Sequence, residues 1–100
     1  MSDKITVTID SDLEELIPGF LENRKKDLEN LAKAAVIKDF KTIQSLGHSL
    51  KGVGGGYGFD RISEIGAVLE EAGKNSSLDS ANEQINQLKD YMSRLEIVFE

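Results

Sequence analysis

Residues 39–53 read Asp39-Phe40-Lys41-Thr42-Ile43-Gln44-Ser45-Leu46-Gly47-His48-Ser49-Leu50-Lys51-Gly52-Val53, and the phase of this stretch decides the fold class. At about 100° per residue, with Ile43 as origin, Phe40, Leu46, Leu50 and Val53 fall within about 80° of it, the pattern of a helix with one side on a core. Asp39 stands where such a helix needs an N-cap. His48, the only histidine of the chain, falls about 140° from the apolar side. Lys41, Gln44, Gly52 and Gly55 share its side and Lys51 lies at its edge, so the imidazole is expected to point into water.

The stretches on either side repeat the helical pattern. Before it, Leu21, Arg24, Leu28, Leu31 and Ala35 alternate spacings of three and four, the seam of a bundle, with Arg24 as its one polar member. After it, Phe59, Ile62, Ile65, Leu69 and Ala72 form a stripe, with Gly73 and Asn75 expected to end that helix. Ser80 and Glu83 have capping-box spacing, and Ala81, Ile85, Leu88, Met92, Leu95 and Phe99 are expected to make a last helix. At the other end, Ser11 and Glu14 also have that spacing, and Pro18 divides a short first helix from the longer one.

Lys4-Ile5-Thr6-Val7-Thr8-Ile9 alternates like a strand, but no second run of that kind is evident to pair with it. Residues 1–10 are therefore expected to form an extended N-terminal arm, and residues 11–100 a helical bundle domain. The fold class expected is all-α, an antiparallel up-down four-helix bundle with a short extra N-terminal helix.

Composition narrows the function. With 100 residues, 39% hydrophobic and 30% charged, the chain has room for one core and is too apolar for disorder. It contains no cysteine, which removes disulfides and thiolate metal sites and fits a reducing, cytoplasmic compartment. There is no basic segment followed by an apolar run at the N-terminus, and no run of about 18 apolar residues, so neither export nor a membrane partner is expected. A net charge of −6 argues against nucleic acid, whose phosphates require a basic surface.

The chemistry available at His48 is nucleophilic. Neutral imidazole, with an unperturbed pKa of about 6.5, attacks a phosphoryl group near neutral pH. Lys51, one turn on, can offset charge on phosphoryl oxygens, and Gly52 leaves room for the incoming group. Zinc needs several further ligands, whereas the helical neighbours of His48 are lysine, glutamine and glycine. Ser49 lies about 100° around the helix, poorly placed for a hydrolytic triad. The run Gly52-Val53-Gly54-Gly55-Gly56-Tyr57-Gly58 completes neither a dinucleotide fingerprint nor a Walker sequence and follows a helix instead of a strand, so it reads as close packing and a helix end.

At these residues the chain resembles the histidine-containing phosphotransfer (HPt) domains of phosphorelays. Their pattern, His-x-x-Lys-Gly followed by Gly, is met by His48, Lys51, Gly52 and Gly58; the pair Phe20-Leu21, the turn Asp39-Phe40 and the pair Leu69-Glu70 are also similar, and the likeness spans roughly residues 12 to 99. It implies that His48 accepts a phosphoryl group from a receiver-domain aspartate and passes it to another, with Lys51 steadying the phosphoryl oxygens and Gly58 ending the histidine helix. Lys41, Gln44, Gly52 and Gly55 would line the docking face. The partners implied are response-regulator receivers and a hybrid histidine kinase; Mg2+ would come with the receiver, and this chain would bind no cofactor and have no kinase or hydrolase site of its own.

A different class of reading is a helical adaptor that binds a receiver or another signalling protein without carrying phosphate. A kinase is excluded, because 100 residues leave no space for an ATP-binding domain. Lys38 and Lys41 read as surface charges able to steer an acidic partner, Arg24 as a snorkelling bundle residue, Tyr57 and Phe59 as core or cap residues, Met92 as core, and Glu70, Glu71 and Glu83 as solvated faces. Met1 and the end at Glu100 suggest a free-standing module, although a domain excised from a larger protein would look similar, and a seam satisfied within one chain makes a monomer the simpler expectation.

Overall fold

The computed structural model describes residues 3–100. Strand β1 (Ile5–Ile9) leads through a 3₁₀ turn (Ser11–Leu16) into helices α1 (Ile17–Val36), α2 (Phe40–Gly56), α3 (Asp60–Lys74) and α4 (Leu78–Arg94), and the chain closes with strand β2 (Leu95–Phe99). The helices form an antiparallel bundle in which α1 packs on α2 and α4, and α3 on α2 and α4. Leu31, Ile43, Leu50, Phe59, Ile62, Ile65, Leu69, Ala81 and Leu88 are completely buried, so every helix contributes its expected apolar stripe.

Local chemistry sets the helix boundaries. Asp39 caps α2 twice: Oδ1 accepts from the Thr42 amide at 3.2 Å and Oδ2 from the Thr42 hydroxyl at 2.6 Å, which holds the Asp39 carboxyl below its ordinary pKa. Gly58, at φ 90°, turns the chain after α2 in a conformation that a side chain would resist. Phe20 stacks on Phe59 with ring centroids 5.0 Å apart and touches Tyr57, tying α1 to this turn. Arg24 lays its guanidinium over Phe20, 4.7 Å from the ring centroid, and pairs with Asp27, keeping its charge at the bundle margin.

The two ends depart from expectation. Residues 5–9 are extended, but they pair in parallel with β2, Ile5 beside Leu95 through Ile9 beside Phe99, and Ile9 is buried. The N-terminal segment is thus no unpaired arm, although its first two residues lie outside the described ones. The last helix stops at Arg94, where Leu95 turns to an extended φ/ψ of −70°/129°. Leu95 and Phe99 fit the helical stripe by spacing, yet Leu95, Ile97 and Phe99 also alternate with exposed Glu96 and Val98, and pairing with β1 selects the strand. The short first helix is the 3₁₀ turn, capped by Asp10 through the Asp12 amide and not by Ser11. Ser77, three residues before Ser80, caps α4.

Candidate functional site

The site rests on an unusually close contact between α2 and α3. A Cβ added at Gly47 would lie 2.8 Å from the carbonyl oxygen of Gly66, and one at Gly66 would lie 2.7 Å from that of Gly47. Only glycine permits this approach. Gly54 meets the backbone of Phe59 to Ser63 in the same way, and Gly73 meets that of Phe40 to Gln44. Gly73 therefore does not end α3, which runs through it to Lys74 with Asn75 as C-cap; its role is to admit α2.

This proximity brings Glu70 of α3 against His48 of α2. His48 Nδ1 lies 2.8 Å from Glu70 Oε2, and Lys51 Nζ lies 3.6 Å from Glu70 Oε1. The bond to His48, aided by the charges of His48 and Lys51, holds the Glu70 carboxyl below its ordinary pKa against a smaller opposing effect of burial. Glu70 is thus ionised near neutrality and can only accept, so Nδ1–H must be the donor. In the neutral ring that tautomer leaves the lone pair on Nε2. With the His48 side chain 74% exposed, Nε2 is reachable from solvent.

Glu70 was expected to be a solvated charge and instead belongs to the site; the neighbours of His48 are not confined to the lysine, glutamine and glycines of its own helix. One hint in the sequence is the Leu69-Glu70 pair among the residues that resemble HPt domains. The other expected residues lie along α2 as the phase required. Lys51 is 54% exposed, Lys41 is exposed and Gln44 half-buried. No atom lies within 4 Å of a Cβ placed at Gly52, and Gly55 faces the Ser63 hydroxyl at 3.9 Å, towards α3. Gly58 lies beyond the C-terminal end of α2, away from the imidazole.

Among the described residues, no group of three or more histidine, cysteine, aspartate or glutamate side chains is placed to hold a metal ion. Nor, among the described residues, is any helix long and apolar enough to cross a membrane. What the arrangement offers is a single oriented imidazole, an adjacent ammonium and open space over Gly52. The family model for the Hpt domain matches residues 15–97. No curated protein and no solved structure gives a match.

Proposed function

Since the chain belongs to the Hpt domain family, whose members are phosphocarriers of two-component phosphorelays, we propose that it takes a phosphoryl group onto His48 Nε2 from the aspartyl phosphate of one receiver domain and passes it to the aspartate of another. The observation that supports this reading is the bond from His48 Nδ1 to Glu70, which leaves the lone pair on the second nitrogen of an exposed ring available for nucleophilic attack.

In the forward step the Nε2 lone pair forms the P–N bond as the P–O bond of the acyl phosphate breaks, and the receiver's carboxylate departs with that electron pair. The ring, still carrying its Nδ1 proton, becomes cationic, and Glu70 offsets that charge. Lys51 sits one turn further along α2, where its ammonium can reach the phosphoryl oxygens. Gly52 keeps the approach clear, and Lys41, Gln44 and Gly55 extend the same face as the docking surface. The return step is the reverse, so whether His48 accepts or donates the group depends on which receiver is bound. Mg2+ belongs with the receiver in this scheme, and a cytoplasmic location fits a receiver partner.

The test is incubation of the chain with phosphorylated receivers from the same genome, alongside His48→Gln and Lys51→Ala. The expected product is an acid-labile, alkali-stable phosphoryl group, absent in His48→Gln and formed more slowly in Lys51→Ala. No transfer to the native chain from any receiver, with binding unchanged in His48→Gln, would replace the carrier by the adaptor.

A further inference from the structure

The β1–β2 ribbon has two open edges, and two strands alone are marginal in water. Glu100 N–H donates to the Ile9 carbonyl and Ser11 N–H to the Glu100 carbonyl. Ile9 therefore directs its backbone groups at β2, as Val7 and Ile5 do by the alternation of a strand. Thr6 and Thr8 direct theirs away from β2, at an edge to which no further strand is paired among the described residues. Both threonines are exposed, and Ile5 and Val7 are only half-buried. The edge carries no proline, bulge or mid-strand charge, the usual devices that keep an edge from pairing.

The sequence around this edge is complementary to itself. If β1 meets a second β1 antiparallel with Val7 opposite Val7, then Ile5 faces Ile9, Thr6 faces Thr8 and Lys4 faces Asp10. In that register Thr6 and the second copy's Thr8 exchange both N–H···O=C bonds, and the two-fold axis repeats the pair, giving four ladder bonds. The threonine side chains meet on the solvent face, the half-buried Ile5 and Val7 gain apolar neighbours on the other, and two Lys4–Asp10 pairs close the ends. Lys4 forms no ion pair among the described residues. The β2 edge is less suited: its own self-pairing would set Arg94 opposite Glu100, but Arg94 is held by Asp90 and the Asp3 carbonyl. Pairing β1 with a second copy's β2 is head-to-tail and does not close a dimer by itself.

We infer that the free edge of β1 is a homodimer interface, in which two copies join through antiparallel β1 strands centred on Val7 into one four-stranded sheet. The occupant is a second copy because the charges and hydrogen-bonding positions of Lys4 to Asp10 match their own reversal. This surface is separate from His48 and stands whether or not that histidine carries phosphate.

Sedimentation of the full chain from micromolar to millimolar concentration tests it. The native chain is expected to show a reversible monomer–dimer equilibrium. Thr8→Pro removes one outward amide and leaves the β1–β2 ladder intact, so it is expected to be monomeric throughout with its thermal transition retained. Lys4→Asp is expected to raise the dimer Kd by about tenfold or more, and Lys4→Asp with Asp10→Lys to restore it. A native chain that stays monomeric, a dimer that survives Thr8→Pro, or a charge swap without restoration overturns the assignment; a dimer surviving Thr8→Pro would place the contact at β2 or on the helices.

Discussion

Nδ1 of His48 and Oε2 of Glu70 lie 2.8 Å apart although 22 residues separate them. The bond fixes one imidazole tautomer and one ring orientation, so its loss acts on reactivity more than on the fold. Glu70→Gln, which can no longer act as a charged acceptor, is expected to slow phosphoryl acceptance roughly three- to tenfold, the range of one ordinary net hydrogen bond. Receiver affinity should stay close to native. Rapid-quench transfer from a phosphorylated receiver, with binding measured separately, checks it; an unchanged rate would mean that Glu70 does not position the ring.

The same bond has a pH signature. The Glu70 carboxyl titrates below the ordinary glutamate value of 4.5 mainly because His48 donates to it. A depressed carboxylate pKa means that the ionised form is favoured in the folded state, so the associated stabilisation is present above the ordinary value and is lost as pH falls through the depressed one. In His48→Ala the midpoint of Glu70, followed by carboxyl carbon chemical shift, is expected to rise towards the ordinary value. A midpoint unmoved by the substitution would assign the shift to another cause.

The glycines of α2 and α3 divide into two groups with opposite expected effects. Gly47→Ala and Gly66→Ala force backbone against backbone and are expected to destabilise by about 1–3 kcal/mol or more, the usual range for overpacking. Gly52→Ala and Gly56→Ala meet no atom within 4 Å and are expected to stabilise by about 0.5–1 kcal/mol through helix propensity. Urea unfolding separates the groups. Gly52→Gln, which should fold, is expected to transfer phosphate slowly because its side chain extends into the space beside His48.

The four helices were legible because each buries one stripe at a 3.6-residue period, and the orientation of His48 followed from the phase of Phe40, Ile43, Leu46, Leu50 and Val53. Pairings between distant segments were not. Leu95 and Phe99 are spaced by four and therefore serve a helix as well as they serve one face of a strand, and the strand that decides between them lies at the other end of the chain. Glu70 carries no local mark of its bond to His48. Gly47 with Gly54, and Gly66 with Gly73, are each seven residues apart, a matched spacing that could have put α2 against α3 and drawn Glu70 into the site.

That division between local and distant contacts gives a last expectation. Removing residues 95–100 deletes β2 and uncovers Ile9, which is 1% exposed and packs near Gly58. Loss of that burial, with the apolar contacts of Leu95, Ile97 and Phe99, should cost about 2–4 kcal/mol on the scale of one to two buried aliphatic side chains. The contact that sets His48 against Glu70 lies between α2 and α3 and touches neither strand. The truncated chain is therefore expected to unfold at lower urea yet accept phosphate at a near-native rate below its transition. Transfer assayed at low temperature, beside circular dichroism of the same sample, decides the point: a folded but inactive truncation would show that the ribbon shapes the site through the turn at Gly58.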